Sequence, residues 1–96
     1  MPSKMKVVFM PRREDREKFL EYQSNFEKLD RAGLIAAYNE AWKVGLVGNH
    51  MQSINYFALH TVFEKVFGKS PITLEDDVIL GLTERICEDG ETWRYE

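Results

Sequence analysis

The chain carries a single cysteine, Cys87, among its 96 residues. A lone thiol closes no internal disulfide, so nothing here asks for an oxidising compartment. Its apolar runs, such as Val7–Met10 and Val78–Leu80, are short, far from the ~20 residues that cross a bilayer. The amino-terminal MPSKMKVVFMPRRE is charged early, and its apolar part is too short for the core of a signal peptide. A cytoplasmic setting is therefore expected. There are no internal repeats, low-complexity tracts or linker-like stretches, which leaves one domain, 1–96. Phosphate-cradling glycine patterns are missing too. Gly45-Leu46-Val47-Gly48 has no strand before it and no Lys-Ser/Thr ending, and reads as a turn.

What is present is ordinary for a folded domain: 44% hydrophobic, 12% aromatic and 30% charged residues. Disordered and collagen-like chains are excluded. The net charge of −3 is unevenly spread. Residues 1–18 carry six basic and three acidic side chains, and residues 75–96 carry two basic and eight acidic ones. Such asymmetry fits ends that lie together in one fold or across a pair of subunits.

Apolar spacing and punctuation predict a mainly helical domain of about four helices. Pro11 precedes a helix over 12–29, with Phe19, Tyr22, Phe26 and Leu29 on one face. Asp30 is an N-cap for a second helix, 31–44, closed by Gly45. Asn49 and Gln52 stand in capping-box positions for a third, 50–67, stopped by Gly68 and Pro71. This third helix is the most apolar and is expected to be central. The predicted core is Leu34, Tyr38, Trp42, Ile54, Ala58, Leu59, Val62, Val66 and Leu82, with Met51 on the same apolar arc and Phe63 and Phe67 on the polar side. Thr73, Asp76 and Asp77 suggest the start of a fourth helix, along which Leu74, Val78, Ile79, Leu82 and Ile86 share a face. The rival reading is a β-hairpin that turns at Asp89-Gly90 into Thr92–Tyr95. Val78-Ile79-Leu80-Gly81-Leu82 does not alternate as a half-buried strand should, and the helix is preferred. Lys6–Met10 and the tail Thr92–Tyr95 are β-prone, and a short two-stranded ribbon from the amino- and carboxy-terminal segments is expected.

Few residues suggest chemistry. His50 and His60 lie ten residues apart on one helix, about 80° and roughly three turns from each other, so they cannot share an ion. Asp76-Asp77 reads as a capping pair, and no metal site or cofactor is expected. No catalytic signature surrounds Cys87, whose acidic neighbours oppose a reactive thiolate. No catalytic residue is expected, and the chain reads as a non-enzyme.

The one surface that suggests function is the polar arc of the third helix. Asn49, Gln52, Ser53, Tyr56 and His60 fall within about 100° of one another. They are expected to line a groove for a protein partner or for self-association, making the chain an interaction or accessory protein of the bacterial or phage kind. The alternative is a DNA-binding transcriptional regulator using a helix-turn-helix-like unit over residues 31–67, whose Asn49, His50, Gln52, Ser53 and Asn55 are base-reading types. Against nucleic acid, that helix has no arginine and only Lys65, where phosphate binding needs cations. A small enzyme using His60 and Tyr56 is a third reading.

Overall fold

The computed structural model describes residues 5–6, 13–44, 50–75, 78–82 and 84–96. It is mainly helical. Three helices come first: α1 (Arg13–Glu27), α2 (Arg31–Val44) and α3 (His50–Phe67). A short strand, β1 (Met5–Lys6), precedes them, and four strands follow: β2 (Ile72–Glu75), β3 (Val78–Leu82), β4 (Ile86–Asp89) and β5 (Thr92–Tyr95).

The helix boundaries follow the punctuation. Asp30 caps α2: its Oδ1 accepts the Gly33 amide at 2.7 Å, and its carbonyl accepts the Leu34 amide at 2.9 Å. Gly68 ends α3 with φ of 77°, a conformation that an L side chain rarely adopts, and its amide bonds to the Glu64 carbonyl at 2.9 Å. The proposed turn 45–48 and the cap Asn49 lie outside the described residues.

The fourth helix does not form. Instead β2 pairs antiparallel with β3, and β4 with β5, as two hairpins. β1 pairs with β3 (Met5 opposite Ile79, Lys6 opposite Val78), giving the order β1-β3-β2, while β4 and β5 form a separate two-stranded sheet. The amino-terminal strand therefore pairs with the second strand of the first hairpin rather than with the tail. Val7–Met10 lie outside the described residues.

The reason for the misreading is local. Thr73 faces Gly81 and Leu74 faces Ile79, so Leu80 has no opposite residue. Such a bulge breaks the period-two pattern by which a strand is recognised. Ile72, Thr73, Val78 and Ile79 are β-branched and suit a strand better than a helix. In the second hairpin Gly90, at φ 66°, takes the first position of a two-residue turn between Asp89 and Thr92.

α3 is the centre of the packing. The core joins Leu34, Ile35 and Tyr38 of α2, Tyr56, Leu59, Val62 and Phe63 of α3, Ile72, Ile86 and Trp93. Ile54 and Ala58 are also buried. On its α1 side, Phe57 meets Phe19 at a centroid distance of 5.2 Å. On its sheet side, Phe63 takes Tyr38 and Trp93 edge-on at 6.2 and 6.5 Å. Four assignments of the helical-arc reading are corrected. Trp42 and Val66 are 36% and 38% exposed, because each sits on a last turn that runs past the core. Phe63, placed on the polar side, is fully buried because the hairpins cover that side of α3. Met51 is exposed as well, and Leu82 is partly buried against the core.

Candidate functional site

The polar arc of α3 faces inward. The Tyr56 hydroxyl accepts a hydrogen bond from Gln52 Nε2 at 3.0 Å and donates to the Ala41 carbonyl at 3.2 Å. Ala41 is in the last turn of α2, where carbonyls lack helical partners. Tyr56 thus ties α3 to the end of α2. Its burial pushes its pKa above the ordinary 10.0. Ser53 is buried as well. Both were expected on an exposed arc, and both are buried in this fold. They were read as wet because one side of an amphipathic helix usually is, and here α1 and α2 cover it.

His60 is the member with unusual chemistry. Its side chain is 16% exposed, and Nε2 lies 4.0 Å from Glu64 Oε1. Nδ1 is buried without a hydrogen-bond partner. Burial lowers its pKa from the ordinary 6.5, against smaller opposing effects of Glu64 and the Ile72 backbone. Burial thus favours the neutral form of the ring. Asn49 lies outside the described residues, and Gln52 is half-buried.

A different surface is concave and carries exposed polar chemistry. Tyr38 and Asn39 of α2 reach the segment that enters β4. The Tyr38 hydroxyl donates to the Glu84 carbonyl at 2.7 Å. Asn39 pairs with both backbone groups of Ile86, each at 2.9 Å. The Glu96 amide donates to the Arg85 carbonyl at 3.1 Å, which closes the open end of the hairpin. The backbone around residues 84–86 is thereby fixed on both sides.

One turn further along α2, Trp42 stands beside this fixed segment. Two adjoining depressions share Trp42 and Arg85 as walls. One, of about 270 Å³, is completed by Asn39, Glu40 and Lys43. The other, of about 330 Å³, is completed by Glu84 and Glu96. Arg85 Nε lies 3.7 Å from Glu96 Oε1, with both side chains about half exposed. The described lining residues offer an aromatic surface, an amide and charges of both signs, with no hydroxyl, thiol or imidazole among them. That is a set for recognition. Sequence reasoning missed it because Trp42 was assigned to the core and its neighbours come from the segment read as a helix. No short-range pattern connects Trp42 to residues 84–96.

Cys87 is a half-buried free thiol on β4, opposite Arg94. Among the described residues no group of three or more His, Cys, Asp or Glu side chains is placed to hold a metal ion. No helix of the described residues is long and apolar enough to cross a membrane. No protein-family model matches the sequence, and no curated protein or solved structure matches it either.

Proposed function

We infer that the protein is a non-enzymatic interaction module that receives a segment of a partner protein at the concave surface around Trp42. The observation that carries this reading is the placement of Trp42. A large aromatic ring is left 36% exposed beside Arg85, between two depressions, when a buried core lies one turn away. Tryptophan and arginine are the side chains most enriched among residues that dominate interface energies. The surrounding backbone is already fixed by Tyr38 and Asn39, so binding needs little ordering of the receiving surface. Self-association through the same surface is the special case in which the partner is a second copy.

The test is site-specific photo-crosslinking in living cells of the source organism. A photoreactive amino acid replaces Trp42 in one variant and Leu20, 61% exposed on α1, in another. A discrete adduct from position 42 alone supports the reading. Equal adducts from both positions, or none from position 42, overturn it.

A further inference from the structure

We propose that the occupant of the Trp42 surface is a basic peptide segment of the partner, which places a lysine or arginine side chain against the Trp42 ring, with Glu40 on one side and Glu84 on the other. This deepens the interaction reading and rests on it. Three observations converge on a cationic occupant. The first is the charge left on the walls. Arg85 is turned to Glu96 at 3.7 Å, so these two largely compensate each other. Of the remaining charges among the described lining residues, Glu40 and Glu84 stand against Lys43 alone. The second is the wider field. Residues 84–96 carry five carboxylates (Glu84, Glu88, Asp89, Glu91, Glu96) and only two cations. All five carboxylates are exposed, and a cation approaching this end of the molecule is drawn toward it.

The third is the aromatic ring. The face of an indole is the best aromatic partner for a cation. The protein already uses that pairing within itself, with Lys69 Nζ 4.5 Å from the centroid of Trp93 and Lys18 Nζ 5.5 Å from that of Tyr22. Among the described residues no cation–π contact is made to Trp42, and the corresponding partner is left to another molecule. An anionic occupant would have to displace Glu96 from Arg85 and lie beside Glu40 and Glu84, which opposes it.

The probe is a pair of short capped peptides, one alternating Lys, Gly and Arg, the other with Glu in every charged position. Each is titrated into the full-length ¹⁵N-labelled protein at low salt. The basic peptide is expected to move the Trp42 indole signal saturably, together with the amides of residues 40–43 and 84–86. Raising the salt should weaken binding, as for any exposed charge pairing. Replacing Trp42 by Leu should weaken it roughly two- to fivefold, the range of an exposed cation–π contact. Glu40→Gln, at an exposed position that leaves folding alone, should weaken it by a similar factor. The proposal is overturned if the basic peptide leaves the Trp42 indole unmoved, if it moves only residues 88–91, or if the acidic peptide moves Trp42 instead. Those failures, with a position-42 adduct still formed in cells, would reject the cationic chemistry and leave the interaction reading standing. Loss of both results would reject the two together.

Discussion

Asn39 holds Ile86 by both of its backbone groups: its amide nitrogen donates to the Ile86 carbonyl, and its amide oxygen accepts the Ile86 N–H, each at 2.9 Å. A side chain on α2 thus does what a neighbouring strand would do for the start of β4. Ile86 itself is almost fully buried, so these groups have no ready substitute in water. Asn39→Ala should destabilise the fold by about 1–3 kcal/mol, the range for leaving buried polar groups unpaired. Urea unfolding with an unchanged m-value is the check. A loss below about 0.5 kcal/mol would mean that β4 does not depend on α2.

Core and surface positions on α3 should separate cleanly. Leu59, buried at the centre, should lose about 2–5 kcal/mol on truncation to alanine. Val66 lies two turns on along nearly the same face, on the last turn that runs past the core, and its alanine variant should stay within about 0.5 kcal/mol of the parent. Similar losses at the two positions would contradict the placement of α3.

Tyr56→Phe removes the hydroxyl that links Gln52 to the Ala41 carbonyl and keeps the ring. The expected loss is about 0.5–1.5 kcal/mol, with partner binding unaltered. A variant of full stability that no longer binds would return Tyr56 to the role of a contact residue.

Gly33 shows where helix propensity is overridden. In an exposed helix interior, Gly→Ala gains up to about 1 kcal/mol. Here an added Cβ would lie 3.1 Å from both Asp30 Oδ1 and Leu29 Cβ. The cap that Asp30 makes to the Gly33 amide would have to shift. Gly33→Ala should therefore lower the melting temperature, and a rise would show that the tight α1–α2 turn can yield.

His60 predicts a pH dependence with a definite sign. Burial holds its folded pKa below the ordinary 6.5, so the unfolded chain takes up the proton first. From this residue stability should be flat above pH 7, fall as the pH drops through about 6.5, and level off below the folded pKa. Unfolding titrations of the wild type and of His60→Gln should have the same slope near pH 8 and differ in slope just below pH 6.5. Parallel curves would contradict the burial of the ring.

The helical half of the fold was legible because its signals are local: the Asp30 cap, the Gly68 stop and the apolar spacing of Leu34, Tyr38, Leu59 and Val62 all act within a turn or two. The hairpin half was not. Leu74, Val78, Ile79, Leu82 and Ile86 fall at helical intervals by coincidence, and the bulge at Leu80 hides the alternation that would have corrected the reading. What holds residues 84–86 in place is Tyr38 and Asn39, more than 40 positions away in sequence, and no periodicity reports such a pair. The same distance hid the surface at Trp42. The polar arc of α3 was visible as a pattern, but whether α1 and α2 cover it depends on packing.

Trp42 is exposed, whereas Trp93 is buried and its indole N–H donates to the Lys69 carbonyl at 3.2 Å. Both indoles can be followed at once by NMR in the unmodified protein as a soluble gadolinium chelate is added. The signals of Trp42 should broaden early, while those of Trp93 persist to several times higher chelate concentration. Equal protection of the two rings would place Trp42 in the core and contradict the account.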